Sequence, residues 1–363
     1  FMREWLSLYD SKSGERGIYN GLSAKRTVER INERYRNEDG NYIRRREPRT
    51  DFGTNPCSEI ILRSREFCNL SECIVRRDDT SESLKEKVRV ATILGTFQST
   101  LTEFKYISRE WKRNCDDERL LGVSLTGIMD SPLTNGTKKG LEELLQELRD
   151  LAYETNKKWA DKLGIKRSAA ITCVKPSGTV SQLVDSASGI HARHNPYYIR
   201  AVRADSKDPL CKMMKKEGFA NEPDVTKKDH MTVFSFPMKS PKGAICRNDL
   251  SAIDQLELWK TYAFNWCEHK PSVTISVKED EWPEVQAWVY KYFDDISGVS
   301  FLPHSEHVYR QAPYQDCTKK EYDVELKRMP KNVDWAELSK YESQDYTVAS
   351  QELACTGTSC EVM

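Results

Sequence analysis

The sequence predicts an α/β fold, in which helices cover a largely parallel sheet or barrel. Short apolar runs alternate with longer amphipathic stretches along most of the 363 residues, and this order is typical of α/β architectures. Several of the short runs are apolar throughout, as in residues 169–174, which is typical of strands that are covered on both faces. A chain of this length can form two domains or one large α/β domain.

These patterns predict the individual elements and the edge of the sheet at which a site is expected. Strands are expected at 58–62, 72–75, 122–127, 169–174, 197–202, 231–236, 272–277 and 298–302. Helices are expected at 24–35, 84–103, 139–163, 210–217, 253–268 and 282–294. In the longest of these, leucines recur at helical spacing and charged residues occupy the opposite face. Ligand sites in parallel folds lie on the loops that follow the carboxyl ends of strands.

Composition argues against several classes of function. Lys plus Arg and Asp plus Glu both number 56, so the formal net charge is zero, which argues against electrostatic binding of nucleic acid or membranes. The sequence contains no apolar run of membrane-spanning length and no signal-peptide pattern, so a cytoplasmic location is expected. Because the chain begins with Phe1 inside an apolar stretch, we expect a fragment of a longer polypeptide or one piece of a split one.

The cysteines are numerous but do not form a recognisable framework. There are eleven, with irregular spacing, and an odd number argues against the disulfide framework of a secreted protein. No Cys-x-x-Cys pair occurs, so no metal site is expected. Cys173, Cys211 and Cys267 lie in apolar patterns, and the simplest interpretation of each is a small buried hydrophobic side chain.

Two cysteine-bearing segments carry the candidate chemistry. In the sequence Asn-Pro-Cys-Ser-Glu, Cys57 has Asn55 and Glu59 two residues away on either side. In an extended segment these three side chains would share one face, which would align an amide, a sulfur and a general base. Near the other end, Cys355 and Cys360 lie on a tail containing Gly, Thr and Ser, a composition that allows movement. This combination indicates a redox enzyme in which a mobile cysteine pair reduces the active-site thiols again after each reaction.

Three further segments bear on a site without deciding it. Residues 175–181, Lys-Pro-Ser-Gly-Thr-Val-Ser, follow an apolar run and could offer backbone N–H groups and hydroxyls to an anion. A plain strand-to-helix turn explains them equally well. The charged stretch 37–53 is interpreted as a surface loop that leads into the cysteine segment. His191, Arg193 and His194 could contact phosphate, but a polar loop explains them at least as well.

In combination, these motifs resemble the C-terminal half of adenosylcobalamin-dependent (class II) ribonucleotide reductases, most closely the monomeric ribonucleoside-triphosphate reductases. The matching segments cover nearly the whole chain and are 13–18, 55–60, 67–72, 122–130, 175–181, 197–200, 311–314 and the terminal cysteine pair. The resemblance implies a ten-stranded α/β barrel of two parallel halves, with the radical cysteine on a central finger loop. This chain would supply the C-terminal half as residues 1–312, and residues 313–363 would end in the mobile cysteine tail.

The resemblance also implies roles for the candidate residues. Cys57 would become a thiyl radical that takes the 3′ hydrogen of the ribose. Glu59 would be the general base on the 3′ hydroxyl, and Asn55 would bind the sugar hydroxyls. Cys68 would be one of two cysteines that reduce the sugar and end as a disulfide. The tail pair, Cys355 and Cys360, would reduce that disulfide by thiol exchange.

The same resemblance implies the substrate, the cofactor and the partners. Ribonucleoside triphosphates would bind through their phosphates at Ser177, Gly178 and Thr179. Adenosylcobalamin would be the radical source, without a histidine ligand from the protein, and thioredoxin would reduce the tail. The partner of Cys68 and most contacts to allosteric effectors lie in the N-terminal half of these enzymes. We therefore expect this chain to need an N-terminal half, as a separate chain or as a removed segment.

Two alternatives remain open at this point. The large subunit of an iron-dependent ribonucleotide reductase would perform the same chemistry with a separate radical subunit and without cobalamin. A half-barrel that only binds nucleotides or a partner would perform no chemistry. The presence of Cys57, Glu59, Cys68 and the tail pair argues against this second alternative, because a binding module has no use for a mobile dithiol.

Overall fold

The computed structural model describes residues 1–11, 17–304 and 310–342, which form a mixed α/β structure. Its helices are α1 (Met2–Ser11), α2 (Gly21–Asn32), α3 (Ser81–Gln98), α4 (Arg109–Glu118), α5 (Leu141–Leu163), α6 (Val180–Leu183), α7 (Pro209–Lys216), α8 (Ala252–Asn265), α9 (Trp282–Lys291) and α10 (Lys319–Arg328). Its strands are β1 (Gly17–Tyr19), β2 (Gly53–Thr54), β3 (Ile61–Leu62), β4 (Asn69–Ile74), β5 (Leu121–Thr126), β6 (Thr172–Cys173), β7 (Tyr197–Asp205), β8 (Asn221–Pro223), β9 (Met231–Lys239), β10 (Thr274–Val277), β11 (Gly298–Pro303) and β12 (Tyr314–Asp316). Every predicted helix and strand overlaps one of these elements.

The chain divides into two compact units. Within the described residues, the first unit comprises 1–192 and 243–304, and the second comprises 193–242 and 310–342. The predicted division into a catalytic part, 1–312, and a tail region, 313–363, is a statement about function and stays a prediction.

The first unit contains two three-stranded sheets and a short hairpin. One sheet has the order β4-β5-β6 and is parallel throughout. The other has the order β1-β11-β10, in which β10 and β11 are parallel and β1 is antiparallel to β11. An isolated parallel bridge between Val174 and Pro271 links the end of β6 to the start of β10. The antiparallel hairpin β2-β3 is separate from both sheets.

The sheets of the described residues do not close into a barrel. The largest sheet has four strands, so the ten-stranded barrel implied by the resemblance is not seen. In the first unit, β4 and β1 are edge strands of two different sheets, and the only bridge that joins these sheets within the described residues is Val174–Pro271. What the structure confirms is the coarser prediction of a mixed α/β fold with parallel strands.

Helix α8 packs against the Val174–Pro271 bridge, where the end of β6 meets the start of β10. The indole N–H of Trp266 donates to the Cys173 carbonyl at 2.7 Å, and that of Trp259 donates to the Pro271 carbonyl at 2.9 Å. Both tryptophans are almost fully buried, and buried indole N–H groups require such partners. Ser251 and Asp254 form a capping box at the start of this helix, which accounts for its beginning at Ala252.

The second unit is built on an antiparallel sheet with the order β12-β7-β9-β8. A small apolar core of Cys211, Met214, Phe219 and Phe234 joins α7 to this sheet. Within the described ranges of both units, no helix combines the length and apolar character that crossing a membrane requires.

Candidate active site

The Cys57 segment forms a tight turn between β2 and β3. The Ser58 N–H donates to the Asn55 carbonyl at 2.9 Å, and Ser58 has a φ of 65°. Asn followed by Pro is a turn signal, because proline fixes the φ value that the second turn position needs. The segment is therefore not extended, so the condition for Asn55, Cys57 and Glu59 to share one strand face is not met. The strand predicted at 58–62 is only Ile61–Leu62.

Asn55 and Glu59 meet through a hydrogen bond across this turn. The Asn55 side-chain N–H donates to Glu59 Oε1 at 2.8 Å, and its Oδ1 accepts from the Ile60 N–H at 3.0 Å. Glu59 is fully buried, and its Oε2 has no hydrogen-bond partner among the described residues. A buried carboxyl oxygen without a partner is uncommon, so Oε2 is the atom that can accept a proton from a ligand hydroxyl.

Lys175 supplies positive charge to the same place. Its Nζ lies 3.9 Å from Glu59 Oε1, and about a third of its side chain is exposed (31%). Burial, followed by the charge of Glu59, raises the pKa of Cys68 well above its ordinary value, and Lys175 opposes that rise. Burial also raises the pKa of Glu72. The hydroxyls of Ser177 and Thr126 and the charge of Lys175 act in the opposite direction and lower it. Lys175 therefore acts on two carboxyl groups, Glu59 and Glu72, and on two thiols, those of Cys68 and Cys173.

The register of the β4-β5-β6 sheet brings three further polar or thiol side chains to this site. Glu72, Ser124 and Cys173 are neighbours across the three strands, and side chains in register share a face of a parallel sheet. Cys173 is fully buried, as its apolar pattern predicted. Burial and then the charges of Glu59 and Cys68 raise its pKa, so this thiol borders the candidate site.

Gly122 leaves room for Cys68 on this face. A Cβ atom at residue 122 would lie 3.2 Å from the Cys68 sulfur, 3.1 Å from Ile60 Cδ1 and 2.4 Å from Leu70 Cδ2. The φ of Gly122 is not positive, so space and not backbone conformation calls for glycine here. The contact shows that Cys68 and the Cys57 turn pack on the same part of β5.

The segment 269–272 forms hydrogen bonds to the Cys57 turn. The sequence did not predict this segment as part of a site. The Lys270 N–H donates to the Glu59 carbonyl at 3.2 Å, and the Ser272 hydroxyl donates to the Cys57 carbonyl at 2.5 Å. His269 joins the hairpin to β5: its Nδ1 accepts from the Ile61 N–H at 3.3 Å, and its Nε2 donates to the Leu121 carbonyl at 2.9 Å. Burial lowers the pKa of His269 to about 3, so it is neutral.

The candidate phosphate loop follows β6 and is half-buried at its start. The Ser177 N–H donates to the Ser188 hydroxyl at 2.9 Å, Gly178 has a φ of 56°, and Thr179 precedes the one-turn helix α6. Nearby, His191 accepts from the Thr274 N–H at 3.1 Å and contacts the Ser188 carbonyl at 3.0 Å. Since burial lowers its pKa, His191 is a neutral structural bridge.

Two arginines of the predicted surface loop are buried, so that prediction is wrong for them. Arg45 makes a buried ion pair with Glu268, with one hydrogen bond of 3.0 Å. Arg46 lies 2.7 Å from Glu118 and 3.6 Å from Glu66, and its side chain has no exposed surface. Carboxylates from distant parts of the chain compensate the guanidinium charges, which local composition cannot reveal.

Other predicted residues fall outside the described residues or belong to the second unit. Cys355 and Cys360 fall outside the described residues, as do residues 13–16 of the first matching segment. His194 belongs to the second unit, where its Nε2 lies 2.7 Å from Asp316 Oδ1. No group of three or more His, Cys, Asp or Glu side chains in residues 1–11, 17–304 and 310–342 is arranged to hold a metal ion.

Curated relatives match most of this chain. The adenosylcobalamin-dependent ribonucleoside-triphosphate reductase of Lactobacillus acidophilus is 28% identical over 340 residues, which cover 85% of this chain and 45% of the relative. The enzyme of the same name from Euglena gracilis is 28% identical over 291 residues, which cover 78% of this chain and 38% of the relative. The chain thus spans less than half the length of these relatives. No family model matches it.

Solved structures share the fold. A crystal structure of a B-12-dependent (class II) ribonucleotide reductase matches with a TM-score of 0.68 and 23% identity, covering 80% of this chain and 43% of that one. The alpha subunit of the Actinobacillus ureae class Id ribonucleotide reductase matches with a TM-score of 0.51 and 13% identity, covering 84% and 61%. Together with the curated relatives, these matches confirm the resemblance that the motifs indicated.

Proposed function

We propose that this chain, a relative of the adenosylcobalamin-dependent ribonucleoside-triphosphate reductases, is the C-terminal catalytic half of such an enzyme. The proposed reaction is the reduction of ribonucleoside triphosphates to 2′-deoxyribonucleoside triphosphates in the cytoplasm. The observation that carries the proposal is the fully buried Glu59 beside the Cys57 turn, whose Oε2 has no hydrogen-bond partner in the described part of the chain. This pairing of a buried carboxyl group with a nearby thiol occurs in a chain whose curated relatives are named for that activity.

The strand order supports the proposal that this chain forms half of a barrel. Strands β4, β5 and β6 are parallel, β10 and β11 are parallel, and the Val174–Pro271 bridge joins the two groups in parallel. Five parallel strands therefore follow one another in the order β4-β5-β6-β10-β11. We propose that an N-terminal half supplies the other five strands, the cysteine partner of Cys68 and the effector contacts.

The proposed mechanism divides the work among four side chains. The Cys57 thiyl takes the 3′ hydrogen atom, so that an S–H bond forms as the C3′–H bond breaks. Glu59 accepts the proton of the 3′ hydroxyl through Oε2. Asn55 binds the sugar hydroxyls after exchanging its bond to Glu59 for a bond to substrate. Cys68 donates a proton to the departing 2′ hydroxyl, which leaves as water, and its partner supplies the hydrogen that takes the place of the hydroxyl at C2′. The two cysteines give up two electrons as they form a disulfide. Cys57 then returns its hydrogen atom to C3′ and is again a thiyl, and Glu59 returns the proton to the 3′ oxygen.

The radical must come from outside these side chains. Adenosylcobalamin, when bound, would supply a radical that removes the hydrogen atom from the Cys57 thiol. The turn fits that need, because Cys57 is only half-buried while Glu59 beside it is fully buried. Part of Cys57 is thus accessible to a radical source, while the base beside it is shielded from solvent.

Substrate phosphates and the tail complete the proposal. Ser177, Gly178 and Thr179 would bind the triphosphate, and their support is a loop at the end of β6 near Lys175 and Glu72. Cys355 and Cys360 would reduce the disulfide that contains Cys68, and thioredoxin would reduce the tail. The roles of the tail and of thioredoxin rest on the sequence resemblance.

The test is cofactor dependence of the reconstituted enzyme. The chain would be mixed anaerobically with the N-terminal half of a related reductase, a dithiol and ATP, with or without adenosylcobalamin. Deoxyadenosine triphosphate that forms only with the cofactor supports the proposal. Product that requires an iron-containing radical subunit instead would identify the chain as part of an iron-dependent large subunit. The sequence relatives favour cobalamin, whereas the fold is shared with a class Id subunit.

A further inference from the structure

Lys270 is a buried lysine that the proposed mechanism does not use. It is 1% exposed and is among the largest fully buried side chains of the described residues. Lysine is almost never buried unless its amino group is bound, because desolvation of the charged form is costly. Its Nζ donates to the Ser58 hydroxyl at 2.7 Å, and Ser58 directly follows Cys57.

We propose that Lys270 is a positioning residue that fixes the Cys57 thiol by holding the side chain of Ser58. The inference deepens the proposed function and rests on it for the identity of the reaction. The geometry on which it stands involves three elements: the turn, the segment 269–272 and the start of β11.

The turn needs such support because Ser58 adopts a left-handed conformation. Its φ of 65° is uncommon for a residue with a side chain and persists only where surrounding contacts enforce it. The Lys270 N–H and the Ser272 hydroxyl bind the neighbouring carbonyls of Glu59 and Cys57. The Lys270 amino group binds the side chain of the strained residue itself.

The start of β11 provides space for this amino group. A Cβ atom at Gly298 would lie only 1.9 Å from Lys270 Nζ. The φ of Gly298 is not positive, so the backbone itself does not call for glycine. Because Gly298 has no side chain, it leaves the space through which the Lys270 amino group reaches Ser58. The Tyr19 ring bounds the same space, with its centroid 6.0 Å from Nζ.

The hydrogen bond does not require Lys270 to be charged. Burial lowers the pKa of Lys270 to about 7, and the charge of Glu59 opposes that change. Both the ammonium and the neutral amine carry N–H groups that can donate to Ser58. Lys270 can therefore hold the turn on either side of neutral pH.

The test is the rate at which Cys57 reacts with iodoacetamide in the chain alone, followed by mass spectrometry of the Cys57 peptide. Lys270→Met and Ser58→Ala should each raise the rate by about tenfold, and the double variant should react no faster than either single one. Such non-additivity is expected of two groups that act through one contact. Lys112→Met is the matched control, because Lys112 pairs with Glu103 and Asp116 on the surface.

Two further variants at residue 58 separate the contact from backbone strain. Asn tolerates a left-handed conformation and keeps an acceptor, so Ser58→Asn should react as slowly as the unmodified chain. Ser58→Gly relieves strain but removes the acceptor, so it should react fast. A slow Ser58→Gly variant, additive effects, or an unchanged rate in folded Lys270→Met would each overturn the proposal.

The assay needs neither nucleotide nor cofactor, so its outcome is independent of the proposed function. In the reconstituted enzyme, Lys270→Met should lower kcat by about tenfold and leave KM for the nucleotide nearly unchanged, because Lys270 acts through the turn. An inactive unmodified enzyme would count against the proposed reaction while leaving the alkylation result intact. An active enzyme with unaltered kcat in Lys270→Met would overturn the positioning role.

Discussion

Replacing Lys270 by Met should make the stability of the chain less dependent on pH. Burial lowers the pKa of Lys270 from its ordinary value of 10.5 to about 7. Between these values the unfolded chain binds a proton that the folded chain does not, so the free energy of unfolding rises with pH. The penalty for burying the charge is thus largest at and below neutral pH, and it fades as pH rises towards 10.5.

The size of the effect follows from the two pKa values. One pKa unit corresponds to about 1.4 kcal/mol. The penalty is therefore about 4 kcal/mol at pH 7 and about 1.4 kcal/mol at pH 9.5. Between pH 7 and pH 9.5, the free energy of unfolding of the unmodified chain should therefore rise by about 3 kcal/mol relative to that of Lys270→Met. The loss of the bond to Ser58 shifts the difference between the two proteins by a nearly constant amount and does not alter this gain.

The assay is urea unfolding under reducing conditions at several pH values from 6.5 to 9.5. The unmodified chain is compared with Lys270→Met at each pH, so that other titrating groups cancel. Lys112→Met is the control, and its difference from the unmodified chain should show no comparable gain. A Lys270→Met difference that stays flat with pH would refute the reasoning, because it would mean that Lys270 is fully charged in the folded chain.

Two further predictions concern the packing and the chemistry of the site. Gly122→Ala should lower the free energy of unfolding by about 1–3 kcal/mol, since the new methyl group crowds Leu70 and Cys68 and overpacking costs this much. Gly53→Ala, which meets nothing within 4 Å, should be near neutral in the same urea titration; equal losses in both variants would contradict the account. Glu59→Gln should lower kcat of the reconstituted enzyme by about 10²–10⁴-fold, as loss of a general base does. Unchanged turnover in that variant would remove Glu59 from the mechanism.

The fold class could be predicted because it is encoded locally. The apolar run 169–174 and the leucine spacing of α5 show which stretches are buried, and both lie in the core of the first unit. The bounds were less accurate, because β6 is only Thr172–Cys173. The residues on either side make contacts that local sequence does not specify. Val174 forms a bridge to Pro271, and the Ala170 carbonyl accepts from the Leu121 N–H.

The sequence named candidate residues, some of which the structure brings into contact, but it did not predict the geometry, and the roles of these residues stay predictions. Asn55 and Glu59 do meet, yet through a turn whose shape is held by Lys270 and Ser272, more than 200 residues away. The Asn55-Pro56 pair is a turn signal that the sequence analysis did not use, and the alternation of Asn55, Cys57 and Glu59 was a poorer guide to the local structure. Lys270 lies in a charged run that looks exposed in the sequence, and the absent side chain at Gly298 leaves room for its amino group.

The central claim is that Cys57 carries the radical, and one measurement tests it most directly. Reconstituted enzyme with Cys57→Ser would be compared with Cys211→Ser, which removes a buried thiol from the core of the second unit. Deoxynucleotide formation would be measured with adenosylcobalamin and a dithiol, after circular dichroism has shown that both variants are folded. The account predicts no product from Cys57→Ser and nearly full activity from Cys211→Ser. Deoxynucleotide formed by Cys57→Ser at a rate near that of the unmodified enzyme would contradict it.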